Sequence, residues 1–177
     1  YATAALARQS MEETSAGDLV LSIEPIASAP EEIGLRALAG ALSWVSGARF
    51  RPRLVTTKAV LDAFRSGTIG RGLTMHGCVL RSAGGAVAMR REPGRVSTRV
   101  SAAVARWDGR WAYRGPLKLR ENARIGALGA DGLAQFADWR DSGVARESLL
   151  SAPAIWIDGE VLAAAVLSPD TRLDFER

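Results

Sequence analysis

Residues 73–91, "LTMHGCVLRSAGGAVAMRR", constrain the fold more than any other stretch of the sequence. The side chains of residues 73–80 alternate in the manner of a β-strand. Two adjacent glycines, Gly84 and Gly85, permit a tight reversal of the chain, and the residues after them suit a second strand. We therefore predict a β-hairpin in this stretch.

The only histidine and the only cysteine of the chain, His76 and Cys78, lie in this hairpin. If residues 82–85 form a four-residue loop, Cys78 lies opposite Met89 in an apolar ladder, and His76 lies opposite Arg91 at its rim. A reactive thiolate needs a positive, partly exposed setting, and one histidine with one cysteine makes a poor zinc site. We interpret Cys78 as a core residue and predict no metal. An enzyme with a novel site at Cys78 is a competing hypothesis.

Charge is concentrated in the middle of the chain. Residues 1–48 carry a net charge of −4, residues 49–99 carry +9 and residues 100–177 carry −1. Ten of the eleven cations in the central block are arginines, whose planar guanidinium binds phosphate oxygens through two parallel hydrogen bonds. A GC-rich genome would also favour arginine over lysine. The clustering nevertheless predicts contact with a polyanion, because a basic patch is the usual electrostatic footprint of nucleic-acid binding.

Two helices are predicted before the hairpin. Residues 28–47 have apolar side chains at helical spacing, with the pattern of a capping box beginning at Ser28 and a stop at Gly47. A second helix is predicted to begin at Thr56 or Thr57 and to end at Gly67.

The second half of the chain contains two strong hairpin turns, Asp108-Gly109 and Asp158-Gly159, and a predicted helix over residues 131–143. Most tryptophans have apolar neighbours, so we interpret them as core anchors, with base stacking as the alternative. These patterns predict an α+β protein of two small domains. The first is a helical domain that ends in a β-hairpin, and the second is a mixed domain of β-hairpins with one main helix.

Sequence motifs for nucleotide, metal and nucleophile sites are missing from the chain. We therefore predict that the chain alone lacks catalytic equipment. No apolar run approaches the length of about 20 residues that a membrane helix needs, and no signal peptide is recognisable, so we expect a cytoplasmic protein without membrane contact. The first residue, Tyr1, is not a methionine, which suggests a fragment of a longer protein.

The order of these elements resembles the region that follows the catalytic domain in bacterial tRNA(Ile)-lysidine synthetases. The resemblance covers residues 17–167. It is carried by "LRALAGALSWVSGARFRPR", "TTKAVLDAFRSG", the Gly-Cys hairpin that ends in Arg-Arg-Glu, and the closing run "SLLSAPAIWIDGEVLAAAVL".

The resemblance implies an ATP-dependent ligase of tRNA modification. Enzymes of this family adenylate the wobble cytidine of an isoleucine tRNA with a CAU anticodon, and lysine then displaces AMP. The chemistry belongs to an N-terminal domain with an S-G-G-x-D-S loop, which this sequence lacks. ATP and Mg²⁺ would belong to that domain, so this chain would hold no cofactor and be inactive alone.

The resemblance also implies three segments. Residues 1–24 would be the tail of a connecting segment, residues 25–99 the first tRNA-binding domain and residues 100–177 the second. The segment 92–99, which contains proline and glycine, is predicted to link the two domains.

Eleven cations are predicted to hold the tRNA: Arg49, Arg51, Arg53, Lys58, Arg65, Arg71, Arg81, Arg90, Arg91, Arg95 and Arg124. The second domain is less basic than its relatives often are, because Arg124 has only Lys118 and Arg120 upstream of it. A free-standing basic module that binds an acidic protein or an RNA is the alternative function. The oligomeric state stays open, with a homodimer among the options.

Overall fold

The structure is a computed structural model that describes residues 1–98, 101–102, 106–113, 121–168 and 175–176. The chain divides into two compact units, residues 1–92 and 93–177, which are described separately below. Their boundary lies at the start of the segment that the sequence suggests as a linker. Val96, inside that segment, is buried in the core of the second unit. Residues 1–24 are folded into the first unit.

The first unit combines four α-helices with a five-stranded antiparallel sheet. The helices are α1 (Ala2–Ser10), α2 (Ile23–Ser28), α3 (Glu31–Ser46) and α4 (Leu54–Ser66). The strands are β1 (Met11–Glu13), β2 (Leu19–Ser22), β3 (Leu73–Met75), β4 (Cys78–Ala83) and β5 (Ala86–Arg91). They lie in the order β1-β2-β5-β4-β3, and a 3-10 helix, Thr68–Arg71, leads into β3.

Helix α3 ends where the sequence predicts, but it begins differently. Gly47 adopts a left-handed conformation with φ of 64°, which a glycine tolerates without strain. The predicted capping box at Ser28 is wrong, because Ser28 is the last residue of α2 and donates its hydroxyl to the carbonyl of Glu24. Helix α3 begins after Pro30 without a side-chain cap. The negative charge of Glu31 in its first turn interacts favourably with the positive end of the helix dipole.

Helix α4 begins earlier than the sequence suggests. Its first residue is Leu54, and Thr57 lies buried inside the helix with its hydroxyl donated to the carbonyl of Arg53. The predicted start at Thr56 or Thr57 is therefore wrong.

The predicted hairpin is present, but its loop and register differ from the prediction. Gly84 and Gly85 alone form the loop, both with positive φ, so Cys78 lies opposite Arg91 and not opposite Met89. The strand predicted over residues 73–80 is also interrupted. His76 and Gly77 have φ of 51° and 72° and turn the chain sharply between β3 and β4.

Cys78 is a core residue, as predicted. Its side chain is fully buried, and its Sγ lies 3.5 Å from the carbonyl oxygen of Leu42 in α3. Around it, α3 packs against β4 and β5, and α4 packs against α2 and α3. The largest fully buried side chains of this core are Leu21, Ile26, Leu38, Leu42, Leu61, Leu80 and Met89.

The second unit consists of short strands and short helices. Its strands are β6 (Ser101–Ala102), β7 (Ala112–Tyr113), β8 (Arg124–Ala127), β9 (Pro153–Ile157), β10 (Glu160–Ala164) and β11 (Phe175–Glu176). The described helices are α5 (Gly129–Leu133), α6 (Arg146–Leu150) and two 3-10 helices, Pro93–Arg95 and Trp139–Ser142. An antiparallel sheet has the order β10-β9-β8-β6, and β7 pairs with β11. The predicted α+β class is confirmed.

Both predicted Asp-Gly turns are confirmed. Asp108 and Asp158 each have a φ of 50° and are each followed by a glycine with positive φ. Asp108 also forms a buried ion pair with Arg110, at 3.0 Å, and accepts a hydrogen bond from the amide of Ser97. Because Arg110 donates to the carbonyl of Ser151 as well, this turn holds together three separate parts of the second unit.

The helix predicted over residues 131–143 is wrong in extent. Helix α5 ends at Leu133, and the next helical residues form the 3-10 helix at Trp139. Gln135 lies at the break, where its side-chain oxygen accepts a hydrogen bond from the amide of Val161 and its side-chain nitrogen donates to the carbonyl of Gly159. These contacts tie the segment to β10.

No helix within the described residues is long and apolar enough to cross a membrane. The same residues contain no group of three histidine, cysteine, aspartate or glutamate side chains that could hold a metal ion.

Gly132 is expected to tolerate no side chain. An added Cβ would lie 2.8 Å from both Leu128 Cδ1 and Trp156 Cζ2, and the indole is fixed by its hydrogen bond to Ala127. We expect Gly132→Ala to lower the free energy of unfolding of the second unit by about 1–3 kcal/mol. Urea unfolding of the full chain measures this loss of stability.

The matched control is Gly40→Ala in α3, where no atom lies within 4 Å of the added Cβ. It should stabilise the first unit by about 0.5–1 kcal/mol, since alanine loses less conformational entropy in a helix. Equal unfolding curves for wild type and Gly132→Ala would contradict the packing described here.

Candidate nucleic-acid interface

The predicted cations have very different surroundings. Eight of the eleven cations are exposed, and these are Arg49, Arg51, Arg53, Lys58, Arg65, Arg81, Arg95 and Arg124. Arg90 is half-buried and Arg91 is buried. Arg71 ends the 3-10 helix before β3, and its side chain lies outside the described part of the structure.

Three arginines lie on the loop that joins α3 to α4. The left-handed Gly47 ends α3, the ring of Pro52 is buried, and α4 begins directly after Arg53. Arg49 and Arg51 are exposed within this short anchored segment, as is Arg53 at its end. None of the three forms an ion pair with a carboxylate in the described part of the chain. Their charges are therefore available to an external anion.

Arg49 and Arg51 line a groove of about 590 Å³ in the first unit. Its other lining residues belong to α1, α3 and the start of the loop, and they are Thr3, Arg36, Gly40, Ser43 and Ala48. Arg36 forms an exposed ion pair with Glu32, one helical turn away, at 2.6 Å. Such an exposed pair contributes little to stability, and it lowers the net charge that Arg36 adds to the groove.

Ser43, one of the residues that line this groove, has a buried hydroxyl. Its oxygen has no hydrogen-bond partner among the described residues, but it is closed to solvent and so is not presented to a ligand. The groove thus offers a ligand the guanidinium groups of Arg49 and Arg51, next to Arg36 and its partner Glu32.

Lys58 and Arg65 are exposed but already neutralised. Lys58 Nζ lies 3.0 Å from Glu31 Oε1, and Arg65 lies 3.8 Å from the other oxygen of the same carboxylate. The hydrogen bond from Lys58 lowers the pKa of Glu31, and the same bond raises the pKa of Lys58, with Asp62 adding to that increase. Two cations thus face two carboxylates, and their net contribution to the positive potential is small.

Arg65 has a structural role as well. It donates to the carbonyls of Ala27 and Ala29, at 3.3 and 3.1 Å, and so connects α4 to the end of α2. Carbonyls at a helix end lack partners within the helix, and a cation there stabilises them.

The hairpin arginines differ from one another. Arg81 is exposed, and its side chain packs against Gly72. The Cγ of Arg81 lies 3.3 Å from the position that a Cβ on residue 72 would take. Arg90 lies 3.8 Å from Asp18. Arg91 is buried, and its Nη1 donates to the carbonyl of Gly77 at 2.9 Å. Its guanidinium closes the turn between β3 and β4, so an external phosphate has little access to it.

The second unit contributes Arg95 and Arg124. Arg95 is exposed in the 3-10 helix at the start of the unit. Arg124 Nη1 donates to the carbonyls of Glu121 and Ala123, and the residue lines a cavity of about 580 Å³. Lys118 and Arg120, the two cations upstream of Arg124, lie outside the described residues.

Sequence reasoning missed Arg36 and Phe50. Arg36 belongs to the acidic first 48 residues, but it shares one helix face with Gly40 and Ser43, four and seven positions on. That spacing was the available signal. Phe50 was visible as an aromatic residue between Arg49 and Arg51.

We expect the free and the neutralised cations to differ in their effect on RNA binding. The double variant Arg49→Gln/Arg51→Gln should weaken affinity for tRNA by about 10-fold or more, because each hydrogen bond to a charged group contributes about 1.5–3 kcal/mol. Lys58→Gln/Arg65→Gln should change it less than about threefold, since exposed ion pairs already occupy those charges. Fluorescence anisotropy with labelled tRNA measures both, and the reverse ranking would contradict the assignment.

The chain is 31% identical over 159 residues to the tRNA(Ile)-lysidine synthase of Ruegeria pomeroyi. The matched region is 90% of this chain and 37% of that protein, so the chain spans little more than a third of its relative's length. No protein-family model matches the chain, and no solved structure matches it. The resemblance read from the sequence is confirmed: over 90% of its length, the chain is similar to a tRNA(Ile)-lysidine synthase.

Proposed function

We propose that this chain is the tRNA-binding C-terminal part of a tRNA(Ile)-lysidine synthase and that it holds tRNA through the arginine groove of its first unit. The observation that carries the proposal is the groove itself, where Arg36, Arg49 and Arg51 surround one cavity. The similarity to a tRNA(Ile)-lysidine synthase supports RNA as the ligand.

Phosphate contact explains why these cations are arginines on a short loop. A guanidinium can bind two phosphate oxygens at once, and a loop fixed at both ends loses little conformational entropy when it binds. Such contacts position a nucleic acid without reading its sequence. In this proposal the first unit therefore fixes the position of the tRNA body, whatever its bases.

Catalysis belongs to another part of the parent enzyme in this proposal. That part uses ATP, with Mg²⁺, to join lysine to the wobble cytidine of an isoleucine tRNA with a CAU anticodon. The present chain contributes no residue to the chemistry, and its role is to position the substrate. The absence of the S-G-G-x-D-S motif from the sequence supports this division.

The proposal predicts a strong dependence of tRNA affinity on salt. If four to six cations contact phosphates, the affinity should fall by about 10²- to 10³-fold between 50 and 200 mM salt. Anisotropy titrations of the full chain with tRNA over this range measure the slope. The Arg49→Gln/Arg51→Gln variant should reduce the slope by about two phosphate contacts.

Two outcomes would contradict the proposal. One is affinity for tRNA that does not change with salt, because this excludes phosphate contacts as its source. The other is undetectable tRNA binding combined with binding to an acidic protein, which would favour the free-standing interaction module.

A further inference from the structure

Exposed apolar side chains gather in the same segment as the free arginines. Six large hydrophobic residues of the described chain are exposed, and four of them lie within residues 44–55. These four are Trp44, Phe50, Leu54 and Val55. Water-exposed hydrophobic residues scattered singly need no explanation, but a group of them beside a charged groove marks a binding surface.

Phe50 is the most exposed member of this group. It retains 76% of its accessible surface and lies between Arg49 and Arg51 in the chain. The guanidinium carbon of Arg49 lies 5.6 Å from the centroid of the phenyl ring. Arg49 also lines the groove, so one guanidinium connects the ring to the groove.

We propose that the Phe50 ring stacks on an unpaired nucleobase while Arg36, Arg49 and Arg51 hold the adjoining phosphates. The inference rests on the proposed function and names the part of the RNA that this surface recognises. The preferred ligand is a place where paired RNA passes into unpaired nucleotides.

The requirement for an unpaired base follows from the structure of RNA. In an A-form helix the base faces are stacked on one another and closed to a phenyl ring. Unpaired bases can splay out and stack on aromatic side chains, and every base has a face suited to it. An arginine beside an exposed aromatic ring is therefore a combination with which proteins bind single-stranded nucleic acid.

Charge favours RNA over a protein as the occupant. Arg49, Arg51 and Arg53 are free of carboxylates in the described residues. Phosphate oxygens can accept two parallel hydrogen bonds from a guanidinium. A protein partner would be expected to contact Leu54 and Val55 as much as Phe50, because both are exposed apolar residues in the first turn of α4.

The test uses two synthetic RNAs and the full chain. One RNA is a blunt duplex of two strands, which has no unpaired base, and the other is the same duplex with a four-nucleotide 3′ overhang that contains 2-aminopurine. We expect the overhang RNA to bind more tightly than the blunt duplex and its fluorescence to be quenched on binding. Phe50→Leu should weaken binding of the overhang RNA by about 5- to 100-fold and abolish the quenching, while binding of the blunt duplex stays unchanged.

Two control variants define the role of the ring. Phe50→Tyr retains an aromatic face, so it should bind the overhang and quench it like wild type. Val55→Ser removes a side chain that is 72% exposed in the same segment and should change neither RNA. Circular dichroism of each variant confirms that it is folded.

The outcomes separate this inference from the proposed function. If both RNAs bind equally well and Phe50→Leu changes neither, stacking is wrong and phosphate binding stands. If neither RNA binds to wild type, the proposed function is wrong too. If Val55→Ser weakens RNA binding as much as Phe50→Leu does, the aromatic face has no special role and the inference is overturned.

Discussion

Helix α3 packs Leu38, Leu42 and Val45 into the core of the first unit, and this contact determines where the opposite face of the helix lies. The carbonyl oxygen of Leu42 accepts a hydrogen bond from the Cys78 thiol, so α3 and β4 are in direct contact. Arg36, Gly40 and Ser43 line the groove from that opposite face. The loop after Gly47 then brings two further arginines to it. The candidate site thus depends on burial of an apolar helix face that contains no functional residue.

A basic segment of sequence is not the same as a basic surface. The central block has a net charge of +9, but its members have distinct roles in the fold. Arg91 closes a turn, Arg65 caps the end of α2, and Lys58 is paired with Glu31. Their charges are used within the protein. Among the described residues, the loop arginines have no carboxylate partner, which is why we propose that a polyanion binds there.

The helices of the first unit and their glycine stops could be predicted because apolar spacing and left-handed glycines are local signals. The register of the hairpin could not. Shifting the pairing by two residues leaves the same side chains facing the core, so alternation cannot distinguish a four-residue loop from the two-residue loop at Gly84 and Gly85. The break after α5 was equally hidden, because the Gln135 side chain beside it accepts a hydrogen bond from Val161 and donates one to Gly159, both more than twenty residues away in the sequence.

The sequence predicted only part of the candidate site, because only part of it is local in the chain. The loop arginines were evident from composition, whereas Arg36 joins them only through the folding of α3. The central claim, that the loop between α3 and α4 holds tRNA, is tested most directly by hydrogen exchange of the full chain with and without saturating tRNA. The account predicts slower exchange for the backbone amides of residues 48–51 and 53 when tRNA is bound, because phosphates and bases cover them. Exchange in this loop that stays the same while tRNA is bound would contradict it.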